Sequence, residues 1–221
     1  MPTIAVVGAG PGLGLSVAKV FGSHGFDVAL ISRSETKLAT LVAELADAGV
    51  TAAAFPADTS DRDQLTAALE GAVARFGRID VLEYSPFASL VQNAPQDVTV
   101  EELQQQIDEI LLGAVTATRA VLPGMLEAEA GTLLYTVGGG AINPLPFMAG
   151  MNVAQAALRN WVHNLHNTLG EKGIQAATVS ISVVIAEQSP EGYPHRAADD
   201  IAATYWDLHT HRDQIEHAIN P

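Results

Sequence analysis

Short runs of apolar and β-branched residues alternate along the chain with stretches of helical spacing. Runs of this kind predict strands, and here they predict about six of them. The predicted strands cover 4–7, 27–31, 51–55, 81–84, 132–137 and 175–185. Between them, apolar residues recur three and four positions apart, as at Leu38, Leu41 and Leu45, which predicts helices. The predicted helices cover 13–24, 35–48, 61–76, 100–128 and 151–171, with a last helix near 199–219.

Regular alternation of strands and helices predicts an α/β fold with a parallel sheet covered by helices on both faces. Helix-start signals agree with this reading, since Ser60 precedes an acidic first turn and Thr99 forms a capping box with Glu102. A chain of 221 residues with no internal repeat and no Pro/Gly-rich linker predicts one domain over 1–221. The polar, turn-rich segment 186–198 is a candidate lid over a pocket.

Charge and composition narrow the classes of partner. Acidic residues outnumber basic ones 25 to 11, for a formal net charge of −14, which disfavours nucleic acid and anionic membranes as partners. The chain has no cysteine, which excludes disulfides, thiolate ligands and a cysteine nucleophile. The beginning of the chain has no basic segment, and no apolar run approaches about 18 residues, so we expect neither export nor membrane insertion. Cytoplasm is the expected location.

A glycine-rich loop follows the first predicted strand directly and precedes a predicted helix. Its residues are Gly8, Ala9, Gly10, Pro11, Gly12, Leu13 and Gly14. Glycines in such a loop let the backbone approach a pyrophosphate closely, and the free N–H groups at the helix start stabilise its charge. The alternative is a turn that merely needs positive φ, but the strand–turn–helix context favours dinucleotide binding in a doubly wound, Rossmann-type sheet.

The end of the second predicted strand selects the form of the dinucleotide. The group that reads the adenosine ribose lies about twenty residues beyond the glycines, where an acid would bind the 2′-hydroxyl of NAD. Here that place holds Ser32 and Arg33, a hydroxyl and a guanidinium that suit a 2′-phosphate, so NADP(H) is favoured over NAD(H). Alternatively, Arg33 is a solvated charge. Asp58 and Thr59 could read the adenine edge, or could cap the next helix with Ser60.

Several short motifs together resemble the short-chain dehydrogenase/reductase family over nearly the whole chain. They are VGAGPGLG at 7–14, PADT at 56–59, RIDVL at 78–82, LG at 112–113, RAVLPGM at 119–125 and QAAL at 155–158. The resemblance implies a sheet ordered 3-2-1-4-5-6 and NAD(P)-dependent carbonyl or alcohol chemistry. It also implies cofactor contacts at Ser85 and Pro86 after the fourth strand, and at Ile185 after the sixth.

The four catalytic residue types of the family are all replaced in this chain. By position, the asparagine is Ile110, the serine is Gly138, the tyrosine is Met151 and the lysine is Gln155. Hydride addition to a carbonyl builds an alkoxide that must be protonated or stabilised, so other groups would have to serve. Asn152 and Gln155 can donate hydrogen bonds without titrating, and Tyr193 can titrate. Other polar residues expected near the pocket are Tyr84, Ser85, Tyr135, Asn143 and His195.

The histidines predict no metal site. His163 and His166 share one helix, but no carboxylate partner stands out, and an interface or core edge is favoured. His209, His211 and His217 are expected on a polar face of the last helix. The long helices 100–128 and 151–171 are the faces through which family members dimerise, so a homodimer is expected.

The sequence therefore predicts an atypical NADP(H)-dependent oxidoreductase acting on a small molecule, with weak activity on ordinary ketones. Two alternatives remain. One is a catalytically silent dinucleotide-binding protein, serving as a sensor or partner subunit. The other is a non-redox enzyme that reuses the pocket.

Overall fold

A computed structural model describes residues 1–87, 92–189 and 192–221. Seven strands form one sheet and two short strands form a separate pair. In chain order the strands are β1 Thr3–Val7, β2 Asp27–Ser32, β3 Ala52–Pro56, β4 Val81–Tyr84, β5 Gly131–Gly138, β6 Ile174–Ile181, β7 Val184–Ile185, β8 His195–Arg196 and β9 Glu216–Ile219. The sheet order is β3-β2-β1-β4-β5-β6-β9, and every neighbouring pair is parallel.

Helices cover both faces of the sheet, as predicted. They are α1 Leu13–Ser23, α2 Glu35–Asp47, α3 Arg62–Phe76, α4 Val100–Gln106, α5 Gly113–Glu127, α6 Ala149–Leu169 and α7 Ala198–His211. Residues of α3, α5 and α6 share one buried cluster with one side of the strands, and residues of α1, α2 and α7 share the other. Strands β1, β2, β4, β5 and β6 are therefore buried on both sides, which explains their largely apolar sequences.

One helical stretch joins α4 to α5 through a π-helical segment, Ile107–Leu112. By length and mean hydropathy, Val100–Glu127 is the stretch of the described residues that could cross a membrane. Its residues Ala114, Ala117 and Val121 are buried in the core against the sheet. A core helix of this kind satisfies the same criteria of length and hydropathy.

The helix starts follow the predicted capping chemistry with one shift. Thr99 and Glu102 form the predicted capping box at the start of α4. Before α3, the cap is Asp61 and not Ser60, because the Asp61 carboxylate accepts from the backbone N–H groups of Asp63 and Gln64. Ser60 instead donates to Asp58.

The prediction of six strands and of a last helix reaching residue 219 was wrong. Helix α7 ends at His211, Arg212 adopts a left-handed conformation at φ 57°, and the chain returns as the seventh strand β9, which contains His217. Contacts with residues distant in sequence hold this strand in place. Arg159 of α6 forms a salt bridge with Glu216, and Thr178 of β6 donates to the same carboxylate at 3.1 Å. The polar composition of β9 hid it from a reading based on hydrophobic pattern.

The predicted sixth strand, 175–185, is interrupted. Strand β6 ends at Ile181, and β7 pairs separately with β8. The candidate lid 186–198 thus contains β8 and ends at the first residue of α7. Pro190 and Glu191, within that segment, lie outside the described residues.

Candidate functional site

The glycine-rich loop leaves β1 at the point where the strand order reverses, between β2 and β4. Ligands of open parallel sheets bind at the carboxyl ends of the strands at such a point. Gly8 has φ +95°, and a Cβ atom there would lie 2.4 Å from the backbone nitrogen of Pro86. The N–H groups of Gly8 and Ala9 both donate to the carbonyl of Ile31, at 2.9 and 3.0 Å. Gly8 therefore fixes the loop against the segment that follows β4.

Gly12 has the opposite surroundings. A Cβ atom added at Gly12 would meet no described atom within 4 Å, and the residue is exposed immediately before α1. The N–H groups of Leu15 and Ser16 bond to the carbonyls of Gly10 and Gly12, so the helix turns directly after the loop. The N–H groups of the first turn of a helix have no intrahelical acceptor. This open, electropositive helix start fits a pyrophosphate.

The predicted ribose-reading residues, Ser32 and Arg33, lie at the end of β2, and the candidates for the adenine edge, Asp58 and Thr59, follow β3. Ser32 is half-buried at the end of β2, and Arg33 is exposed beyond it. Two hydrogen bonds from Ser60, donated by its backbone N–H at 2.9 Å and its hydroxyl at 2.8 Å, and the positive charge of Arg33 lower the pKa of Asp58. Thr59 is buried. Arg33 therefore lies near enough to Asp58 for their charges to interact.

The positions of the missing serine and lysine contact each other. The N–H of Gly138 donates to Oε1 of Gln155 at 3.1 Å. A Cβ atom at Gly138 would lie 2.9 Å from that same oxygen. The amide of Gln155 therefore occupies the space that a serine side chain would need, and it holds α6 to the end of β5.

The remaining replaced positions are closed. Ile110 and Met151 are both 5% exposed and belong to the core cluster beneath α6. Asn152 is buried as well, donates to the carbonyl of Leu145 at 2.7 Å, and leaves no room for a Cβ atom at Gly140. Tyr193 is 64% exposed. Asn152 thus braces the loop after β5, while Tyr193 lies on the surface.

Two tyrosines near the expected pocket are committed to the core. Tyr84 donates to the carbonyl of Glu109 at 2.6 Å, and the hydroxyl of Tyr135 bonds to that of Thr118 at 2.5 Å. Burial raises the pKa of both phenols. Gly113 is required beside Tyr84, because a Cβ atom there would lie 2.1 Å from the tyrosine oxygen.

An acidic residue that was not predicted as part of the site lies inside the sheet. Glu83 is fully buried in β4, where it accepts hydrogen bonds from Ser85 at 3.0 Å and Thr136 at 3.1 Å. Burial raises the pKa of Glu83 to about 8, against the lowering effect of these two bonds. The signal was present in the sequence, since a central parallel strand is apolar on both faces and a glutamate there is exceptional.

Exposed apolar side chains surround this edge of the sheet. They follow β4, β5 and β6 and are Phe87, Ile142, Leu145, Phe147, Val184 and Ile185. Ile185, predicted to touch the cofactor, pairs in β7 with Arg196 of β8. Since single exposed apolar residues need no explanation, the meaning of this group lies in its position around the candidate site.

The two histidines of α6, His163 and His166, contact neighbouring elements. His163 Nε2 lies 3.5 Å from a carboxylate oxygen of Glu216, and His166 Nδ1 lies 3.2 Å from the carbonyl of Ala176. Across the three described segments, no group of three or more histidine, aspartate or glutamate side chains is arranged to hold a metal ion.

Comparison with known proteins establishes the family. The short chain dehydrogenase family matches residues 2–191, and the chain therefore belongs to it. A short chain dehydrogenase of Pseudocercospora fijiensis is 29% identical over 189 residues, which cover 84% of this chain and 60% of that protein. The very-long-chain 3-oxoacyl-CoA reductase of Anas platyrhynchos is 30% identical over 199 residues, covering 86% and 62%. The chain thus spans about three fifths of the length of these two relatives.

Solved structures agree on the fold. A short-chain dehydrogenase from Rhodopseudomonas palustris superposes with a TM-score of 0.86 at 26% identity, covering all of this chain and 98% of that one. A metagenomic short-chain oxidoreductase in complex with NADP gives 0.87 at 24% identity, covering 100% and 96%. L-Sorbose reductase from Gluconobacter frateurii, complexed with NADPH and L-sorbose, gives 0.90 at 17% identity, covering 99% and 95%. The predicted doubly wound fold is confirmed, with seven strands in place of six.

Proposed function

We propose that this protein binds NADP(H) at the glycine loop and acts as an atypical oxidoreductase on a small molecule. The open helix start at Gly12 is the observation that carries the proposal. Gly8 holds the loop against Pro86, and Gly12 presents bare backbone where a pyrophosphate would lie. Complexes with NADP or NADPH among the structural neighbours support the same cofactor for this chain.

The choice of NADP(H) over NAD(H) rests on Arg33. Its guanidinium is exposed after β2, at the place where the adenosine ribose is read. Asp58 balances part of the charge of Arg33, and a bound 2′-phosphate would compete for the same guanidinium. Ser32 supplies a half-buried hydroxyl beside it.

Ordinary carbonyl reduction should be weak. Bound NADPH would supply a hydride, but the positions that normally protonate an alkoxide hold the buried Met151 and the glutamine amide bonded to Gly138. The apolar side chains around the site favour a substrate with an apolar part. The lack of a proton donor favours a reacting group that needs less acid assistance, such as an activated alkene or an imine.

The same contacts favour a second candidate, a dinucleotide-binding protein without hydride transfer. Gln155 is hydrogen-bonded to Gly138 and Met151 is buried, so both side chains serve packing, as expected of positions that no longer take part in catalysis. Substrate-dependent consumption of NADPH separates the two candidates, because the silent protein would bind the cofactor without turnover.

Calorimetric titration with NADPH and separately with NADH tests the proposal, with Arg33→Ala as the diagnostic variant. Loss of a charge-assisted hydrogen bond should weaken NADPH about 10- to 100-fold and leave NADH nearly unchanged. Lys37→Ala, which removes an exposed charge from the first turn of α2, is the matched control and should change neither affinity. Equal weakening of both cofactors by Arg33→Ala would contradict the ribose-phosphate assignment. Binding of neither cofactor to the unaltered protein would defeat the proposal itself.

A homodimer through α4, α5 and α6 is also proposed. The 21 residues of α6 contain no acidic residue and one arginine, in a chain whose formal net charge is −14. Two copies can therefore approach along this helix with little repulsion between like charges.

A further inference from the structure

A chain of four hydrogen-bonding side chains runs from the edge of the sheet into its core. Ser85 donates to one carboxylate oxygen of Glu83 and Thr136 to the other. The hydroxyl of Thr136 also bonds to that of Tyr205 in α7, at 2.5 Å. Ser85 is half-buried, whereas Glu83 and Tyr205 are completely buried.

The protonation state of Glu83 fixes the direction of these bonds. With Glu83 ionised, the single hydrogens of Ser85 and Thr136 both point at its oxygens, and Tyr205 donates to Thr136. With Glu83 protonated, the carboxyl group donates its own hydrogen to either Ser85 or Thr136, so one of these two hydrogen bonds must reverse its direction. If Glu83 donated to Thr136, the Thr136 hydroxyl would have to donate to Tyr205. The buried hydroxyl hydrogen of Tyr205 would then have no acceptor among the described residues. An unpaired buried donor is costly, so the hydrogen bond between Ser85 and Glu83 reverses instead, and Glu83 donates to Ser85.

Ser85 lies where a dinucleotide would pass. Its N–H donates to the carbonyl of Val7 at 2.9 Å, directly before the glycine loop. The peptide between Ser85 and Pro86 is the surface that excludes a Cβ atom at Gly8. On the other side, Thr136 lies two residues before Gly138, at the same carboxyl edge. A reversed Ser85 hydroxyl can turn its hydrogen outward into this edge.

We propose that Glu83 is a positioning residue of the dinucleotide site: when protonated it donates to Ser85, whose hydroxyl then donates to an acceptor oxygen of bound NADP(H). This inference rests on the proposed function. When ionised, Glu83 holds the Ser85 hydrogen for itself, and the contact with the dinucleotide loses its donor. Binding is therefore coupled to uptake of one proton by a side chain that does not touch the ligand.

The side chains described around Glu83 are mostly apolar, so Glu83 is the group whose protonation changes with pH in this network. Its register partners are Val6 in β1 and Leu134 in β5, both apolar. Helix α1 adds apolar residues to the same cluster, and α7 presents Tyr205, the titratable group that faces Glu83 in the described chain. The pKa of Glu83 is about 8, and that of Tyr205 is raised far above its usual value, so Glu83 is the member of this network that changes charge between pH 7 and pH 9.

Calorimetry with NADPH at pH 7 and pH 9, each in two buffers of different ionisation enthalpy, tests the coupling. The dissociation constant of the unaltered protein should rise about tenfold from pH 7 to pH 9, with proton uptake near pH 8. Glu83→Gln, which is isosteric and permanently neutral, should bind with nearly equal affinity at both pH values and take up correspondingly fewer protons. Ser85→Ala should bind more weakly at pH 7 and also lose the dependence on pH.

Three results would overturn the inference: an unaltered protein without pH dependence, a Glu83→Gln variant that keeps it, or a Ser85→Ala variant that keeps it. The first and third remain informative even if Glu83→Gln folds poorly, which its thermal unfolding would reveal. Failure of the proposed function looks different, because then NADPH would not bind at either pH.

Discussion

At the level of single residues, Gly8 and Gly12 of the glycine-rich loop have different surroundings. Gly8 meets the backbone of Pro86 and has positive φ, so any side chain there would disrupt the loop itself. A Cβ atom at Gly12 would meet no described atom within 4 Å, so a side chain has room there. Two glycines of one seven-residue loop thus differ in their surroundings, one packed against a neighbouring segment and one open.

Gly12→Asp should therefore fold normally and lose NADPH binding. The new carboxylate has room in the free protein but would lie against the pyrophosphate, where like charges repel. Calorimetry and thermal unfolding measure the two properties separately. Gly12→Ala is the size control and should bind NADPH better than Gly12→Asp. Undiminished binding by Gly12→Asp would show that the pyrophosphate lies elsewhere.

Glu83 should make the protein less stable as pH rises. Its pKa is raised from 4.5 to about 8 by burial, so the folded state holds a proton that the unfolded state releases between these values. This contribution to stability is fully present below about pH 4.5 and is lost as pH rises toward 8. The difference between pH 5 and pH 8 is on the order of 3 kcal/mol.

Urea unfolding of the unaltered protein and of Glu83→Gln at these two pH values measures that effect. The variant should lack this part of the pH dependence, so the comparison cancels other titrating groups such as His209, whose pKa burial lowers. Identical pH profiles for the two proteins would show that Glu83 is already ionised in the folded state at pH 5.

At the level of elements, β5 and α6 are joined by the contact between Gly138 and Gln155. The backbone N–H of Gly138 and the side chain of Gln155 belong to residues seventeen positions apart, and no pattern of spacing predicts that an amide would fill the place expected for a hydroxyl. The family resemblance predicts only that glycine and glutamine replace the serine and the lysine at these two positions. The contact requires the three-dimensional packing of α6 on the end of β5.

Gly138→Ser and Gln155→Ala should therefore be non-additive. Serine alone would displace the glutamine oxygen from the Gly138 N–H and cost about 1 kcal/mol, and the alanine alone would cost a similar amount by leaving that N–H unpaired. Together they should cost less than the sum. Urea unfolding of the four proteins measures the coupling, with Gly138→Ser plus the distant Val73→Ala as an additive control. Additivity of the first pair within about 0.3 kcal/mol would contradict the contact.

Elements with strong hydrophobic periodicity were predictable, and elements fixed by polar contacts were not. Strands β1 to β6 are mostly apolar and were found from sequence, whereas β9 carries Glu216 and His217 and was mistaken for a helix. Arg159 and Thr178 supply the partners that make a polar strand stable there. The glycine loop was equally legible, because its spacing follows from the geometry of a strand–turn–helix unit.

The whole molecule combines a high negative charge with one helix almost free of charge. With 25 acidic and 11 basic residues, two copies repel each other over most of their surface. On α6, Val153 is 53% exposed, and Asn160 and Asn164 are exposed without charge. Association along this face would remove apolar surface from water with little repulsion between like charges.

Val153→Arg should therefore shift the protein from dimer to monomer. An arginine on each copy would bring two like charges into the centre of the proposed interface, where burial of unpaired charge is costly. Sedimentation equilibrium over a range of concentrations measures the change. Val73→Arg, which places the same charge on an exposed valine of α3, is the matched control and should leave the dimer intact. A dimer that survives Val153→Arg but not Val73→Arg would place the interface along α3 and reject the assignment to α6.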